Sequence, residues 1–85
     1  MNNKKLLVVF TSYYFGDKAD KILTELSVSH QLMATPPELN DMCGLSIQID
    51  LNTVEQVQTI LKEHKISTSG LFWYEKGKPA IAYVS

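Results

Sequence analysis

Residues 6–26 read LLVVFTSYYFGDKADKILTEL, and this stretch decides the fold. Leu6-Leu7-Val8-Val9-Phe10 is an unbroken apolar run with lysines before it. Such a run predicts a central strand covered on both faces. The next apolar residues are Phe15, Ala19, Ile22, Leu23 and Leu26, with Lys, Asp and Glu among the residues between them. That spacing predicts an amphipathic helix entered directly from the strand. Ser12 is the expected N-cap, with Asp17 as its rival.

Outward from this unit, His30–Ala34 reads as a short second strand. Thr35-Pro36-Pro37-Glu38 has threonine followed three residues on by Glu, a capping box, so one or two helical turns are expected before Cys43-Gly44. Leu45, Ile47 and Ile49 alternate with Ser46, Gln48 and Asp50, giving a strand with one buried and one wetter face. Asn52-Thr53-Val54-Glu55 reads as a second capping box, opening a helix that buries Val54, Val57, Ile60 and Leu61. Leu71–Tyr74 is a fourth strand, Lys76-Gly77-Lys78-Pro79 a turn, and Ala80–Val84 a short fifth strand. The fold class is therefore α+β: a ferredoxin-like βαββαβ sandwich with an additional C-terminal strand. Its antiparallel sheet would run 4-1-3-2, with two helices on one face and the fifth strand beside the fourth.

Composition bounds the function. Eighty-five residues, 45% apolar and 20% charged, form a single domain over 1–85. A net charge of −1 gives no basic stripe, so no nucleic-acid partner is expected. No apolar run approaches the ~20 residues of a membrane span. The opening MNNKKLLVVF has too short an apolar run for a signal peptide, which predicts a cytoplasmic protein. Cys43 is the one cysteine, so an internal disulfide and a cysteine-built zinc site are excluded. His30 and His64 come with no third ligand pattern, and no Gly-rich phosphate loop exists, so no metal or cofactor is expected.

The expected topology gives the lone thiol a place. The loop between strands two and three lies at the end where strand one finishes and helix one begins. Cys43 should then sit near Thr11, Ser12 and Tyr13, at a helix N-terminus that favours thiolate. Helix two ends at the same side, bringing Lys62, His64 and Lys65. Gly44 allows the backbone N–H groups around Cys43 to form an anion-cradling nest. Glu38 and Asp41 would act against the thiolate. Asp17 and Asp20 read as a solvated helix face, and His64 as a residue closing helix two. Leu7, Val9 and the Phe72-Trp73-Tyr74 cluster are candidates for an exposed patch behind the sheet, and a homodimer is expected there.

The stretch TPPELNDMCGLSI, residues 35–47, resembles the signature of a family of small bacterial and archaeal proteins described as selenium/sulfur carrier-like. The resemblance extends across most of the chain, through VFTS, the lysine-rich first helix and the Leu-Lys-Glu of the second. It implies a carrier holding sulfur or selenium as a persulfide or perselenide on Cys43, preceded by Thr35-Pro36. It implies donor and acceptor proteins as partners. The sequence departs from the family pattern at Pro37, where Arg is usual, and at Asn40, Asp41 and Met42, which replace small serine-like residues. The supporting role then falls to Lys62, Lys65 or backbone N–H groups. The competing expectation is a regulatory module of the same fold that binds a small molecule or a protein without thiol chemistry.

Overall fold

The computed structural model describes residues 5–39 and 44–83. Its elements are β1 (Lys5–Phe10), α1 (Tyr13–Glu25), β2 (Gln31–Ala34), β3 (Leu45–Ile49), a 3-10 turn (Leu51–Thr53), α2 (Val54–Glu63), β4 (Thr68–Tyr74) and β5 (Ile81–Ala82). The sheet order is β2-β3-β1-β4-β5, and every neighbouring pair is antiparallel. This is the ferredoxin-like order read from the sequence, with β5 added beside β4. Strand four starts earlier than expected, at Thr68, and strand two starts at Gln31 rather than His30. Of the expected fifth strand, Ile81 and Ala82 pair with β4, the Tyr83 N–H donates to the Leu71 carbonyl at 2.8 Å, and Val84 lies outside the described residues.

Strand β1 is the hub, with Leu6 through Phe10 all buried. Leu6, Val8 and Phe10 face α1 and α2, meeting Ala19, Leu23, Val57, Ile60 and Leu61. Leu7 and Val9 face the other way. They were expected to join an exposed patch, and this is corrected: both are fully buried. The cover is Leu39, with Met33, Phe72, Tyr74 and Ala80 around it. Residues 36–39 thus form a strap across the back of the sheet.

The strap explains why the first expected helix does not form. Residues 36–39 make a single turn, in which the Leu39 N–H donates to the Pro36 carbonyl at 3.0 Å. Thr35 does not cap a helix. It adds one more rung to the β2–β3 ladder, its N–H donating to the Gly44 carbonyl at 3.0 Å. Glu38 does not complete a capping box either. Its carboxylate accepts the Gly77 N–H at 2.7 Å, tying the strap to the β4–β5 turn. Burying Leu39 contributes roughly 1.5–3 kcal/mol, more than a cap bond of about 1 kcal/mol. The second capping box also fails. Thr53 makes no side-chain cap, and its hydroxyl donates instead to the Asp50 carbonyl at 3.1 Å within the 3-10 turn.

Ser12 is the N-cap of α1, its hydroxyl accepting the Phe15 N–H at 3.3 Å, while Asp17 pairs with Lys21 at 2.9 Å. Asp20 is not merely solvated. Its carboxylate lies 2.7 Å from His30 Nε2, and the Val28 carbonyl lies 2.7 Å from His30 Nδ1. Through these two contacts the ring fastens the start of β2 to α1. Both helices end in the same Schellman motif. Val28 and Ile66 donate back to Leu23 and Leu61, and Ser27 and Lys65 to Thr24 and Lys62. Ser27 and Lys65 take the left-handed conformation, φ 57° and 54°, that glycine holds most easily.

Two expectations follow. Ser27→Gly and Lys65→Gly each relieve a left-handed backbone and should raise stability by about 0.5–1 kcal/mol, additively because the sites are far apart. Denaturant titration checks this, and Ser27→Ala should give no gain. Glu38 supplies an acid-sensitive contact. The Gly77 N–H, first, and the Glu38 backbone N–H and Lys76 hold its carboxyl below the usual carboxylate range, against a smaller opposing effect of burial. A lowered folded-state pKa adds stability that is complete above the unfolded value of about 4.3 and is lost as pH falls through the folded value. The acid-side slope of the melting temperature should therefore be shallower in Glu38→Gln than in the parent chain.

Candidate functional site

The two ends of the 35–44 loop meet at a neck. Thr35 directs both its N–H (3.0 Å) and its hydroxyl (3.1 Å) to the Gly44 carbonyl. The Ser46 hydroxyl lies 2.8 Å from that of Thr35. One arrangement satisfies all three groups: Ser46 donates to Thr35, and Thr35 donates to Gly44. Ser46 was read as part of a wetter face but is fully buried. Its place in register with Met33 and Val9, under the Leu39 strap, accounts for this. Pro36 is buried beside the neck and starts the turn of the strap.

Gly44 has φ +116°, a conformation that L side chains rarely adopt. Among the described residues nothing lies within 4 Å of where its Cβ would be, and the backbone conformation itself disfavours any other residue. The expected nest around Cys43 cannot be read from this, because Cys43 lies outside the described residues, as do Asn40, Asp41 and Met42.

Three connections converge on the end of the sheet where the neck sits. Strand β3 leaves the neck through Leu45, which packs against the first turns of α1. A side chain at Gly16 would come within 2.7 Å of the Leu45 Cβ. The glycine lets the helix approach that closely. Ser12 and Tyr13 begin this helix, with Tyr13 67% exposed. Thr11, just before them, bonds to the Ser67 carbonyl through its N–H (3.3 Å) and its hydroxyl (3.4 Å). That bond fixes the α2–β4 connection, with Lys65 two residues away, at the same end.

The expected convergence of β1–α1, β2–β3 and α2–β4 connections is thus present. Of the residues expected at the site, Thr35 and Gly44 touch directly, while Ser12 serves as the helix cap. Lys65 is exposed and holds the left-handed cap of α2. His64 is the C-cap of α2, as read from the sequence. Glu38, expected to oppose a thiolate, is turned to Gly77 instead. Sequence reasoning missed Ser46, Gly16 and Leu39. Only Gly16 carried a signal, as a glycine inside an otherwise helical pattern. Among the described residues no cluster of His, Cys, Asp or Glu is gathered as a metal would require, and no helix is long and apolar enough to cross a membrane.

A family model described as "Putative Se/S carrier protein-like" matches residues 5–72, four fifths of the chain. No curated protein and no solved structure matches. The matched span begins with β1 and runs through both helices and the neck into β4. The chain therefore belongs to the Se/S carrier-like family.

Proposed function

We propose that the chain carries sulfur or selenium on Cys43 as a persulfide or perselenide and passes it to an acceptor protein. The observation that carries this reading is the neck. Thr35 and Gly44, the residues that flank the Pro-rich loop of the family signature, are bonded together at the end of the sheet where α1 begins. A carrier needs its thiol on a short, closed segment that a partner's active site can reach. A helix N-terminus at that end supplies roughly half a positive charge, which favours thiolate. Lys65 and Lys62, both exposed, add cationic charge along the α2 end.

The chemistry is thiol exchange. The Cys43 thiolate attacks the terminal sulfur of a donor's persulfide. A new S–S bond forms on Cys43, the donor's S–S bond breaks, and the donor leaves as its thiolate. An acceptor thiolate then attacks the terminal sulfur and releases Cys43 as thiolate. Each step is redox-neutral and needs no cofactor, and selenium follows the same course. Donor and acceptor proteins are the partners in this scheme, and the cytoplasm, where thiols stay reduced, is a fitting compartment.

Two measurements test the reading. The chain is incubated with a cysteine desulfurase and cysteine, or with a selenocysteine lyase and selenocysteine, and its intact mass is read without reductant. The expected result is a gain of one sulfur or selenium, absent in Cys43→Ser. A parent chain that gains neither overturns the proposal. The neck is tested separately. Thr35→Val leaves the buried Ser46 hydroxyl without its partner and should cost about 1–3 kcal/mol. Thr35→Val/Ser46→Ala should recover part of that stability, because no hydroxyl is then buried alone. Both variants should transfer sulfur more slowly than the parent at matched folded fraction, and Thr35→Ser should transfer normally.

A further inference from the structure

The helix layer does not cover the sheet evenly. Leu6 through Phe10 of β1 are all buried, whereas no residue of β4 is. Leu71 and Trp73 lie on the helix side of β4, opposite Val8 and Leu6, yet are only partly covered. A cleft of about 290 Å³ opens there, between α2 and the first half of β4. Its floor is Val8, Leu61, Ile66 and Leu71, and all but Leu71 belong to the buried core. Cavities that hold small molecules run from about 300 to 1,000 Å³, so this one limits its occupant to a small body.

Three polar side chains line the rim. Gln58 and Lys62 stand one turn apart on α2, so they share a face of the helix. Thr68 stands across from them on β4 and reaches that side through a shift in register. Val9 pairs with Gly70, but Phe10 pairs with Thr68, so Ser69 is the extra residue of a bulge. Regular pairing would set Ser69 opposite Phe10 and turn Thr68 to the back of the sheet. The bulge turns Thr68 to the helix side instead, as bulges beside functional sites commonly re-aim a side chain. Among the described residues, no ion pair holds Lys62 and no side-chain hydrogen bond engages Gln58 or Thr68. Lys62 is the one charged residue among those that line the cleft, and no carboxylate is among them.

We infer that this cleft binds a small monocarboxylate with a branched or aromatic body. The body lies on the apolar floor, and the carboxylate meets Lys62, Gln58 and Thr68 at the rim. Charge selects this class of ligand. One ammonium group balances one carboxylate and bonds to it with charge assistance. A phosphate monoester brings about two negative charges, more than a single lysine meets. A free α-amino acid brings an ammonium group, which finds no carboxylate among the lining residues. A carboxylate without an apolar body leaves the floor wet and forgoes most of the burial that a ligand gains there. The inference needs neither Cys43 nor a donor protein and is independent of sulfur carriage.

Phenylacetate is the probe, titrated to tens of millimolar into the isotopically labelled full chain at constant pH and ionic strength, with amide shifts followed by NMR. The expected result is saturable shifts grouped on Leu61, Lys62, Ile66, Thr68 and Leu71, the same in Cys43→Ser. Acetate, which lacks the body, and phenethylamine, which reverses the charge, should each bind more weakly by about tenfold or more. Lys62→Met keeps an apolar stem and loses the charge, and should weaken phenylacetate binding about tenfold. Gln58→Glu sets a carboxylate at the rim and should weaken it at least as much. Both positions are exposed on α2, and an undisturbed spectrum away from the cleft checks that each variant folds. Phenylacetate that gives no saturable shift, or shifts centred elsewhere, overturns the inference. So does phenethylamine binding as tightly as phenylacetate, or an affinity that neither substitution changes.

Discussion

Side chains alternate along a strand, so β1 sends Leu6, Val8 and Phe10 to one side of the sheet and Leu7 and Val9 to the other. Neither set can be left wet without forfeiting roughly 1.5–3 kcal/mol per large residue. The described residues form two α-helices, and both are used on the first side. The second side must be closed by whatever chain remains. Connections within an 85-residue domain are short, and among the described residues the cover on this side is Leu39, with Met33, Phe72, Tyr74 and Ala80 around it. Double-sided burial of one central strand therefore dictates the path of a loop that local sequence would send into a helix.

That path couples packing to the candidate site. Leu39 is seated on the back of the sheet among Met33, Phe72 and Tyr74, Glu38 is held by Gly77, and Thr35 is bonded to Gly44. Residues 35–39 and Gly44 thus serve as core cover, as a tie to the β4–β5 turn and as the neck. A change in the β4–β5 turn reaches the neck through Glu38 and Leu39, although the turn belongs to another part of the sheet. Tyr74 shares in this tie. Burial first, and the nearby Glu38 carboxylate second, push its hydroxyl above the usual tyrosine range.

The sheet order, both helices, the Ser12 cap and the convergence of three connections at one end were all legible in the sequence. Each rests on a local pattern that tertiary structure leaves intact: an apolar run, a helical spacing, a hydroxyl before a helix. The misreadings around the 35–39 strap share one cause. Thr35 and Glu38 have the spacing of a capping box, yet each found a partner far along the chain or across a ladder, Gly44 and Ser46 for Thr35 and Gly77 for Glu38. Ser46 sits at an alternating polar position and looks solvated until Leu39 covers it. Leu7 and Val9 read correctly as facing away from the helices but wrongly as exposed, for the same reason. One buried leucine, 30 residues from Val9, separates the expected surface from the observed one.

Family membership and geometry bear on different halves of the site. The family points to a carrier of sulfur or selenium, and the fold shows how the two ends of the 35–44 loop are held. Gly44, bonded covalently to Cys43, is pinned through its carbonyl by two donors from Thr35 and adopts a backbone conformation that other residues resist. Pinning the carbonyl while keeping glycine fixes the direction in which the chain enters β3. Thr35 in turn is kept in place by Ser46, whose burial depends on Leu39. The order of dependence runs from β1 to Leu39, from Leu39 to Ser46, and from Ser46 through Thr35 to Gly44. A domain with so little core has used one loop both to finish that core and to set the residue next to its single thiol.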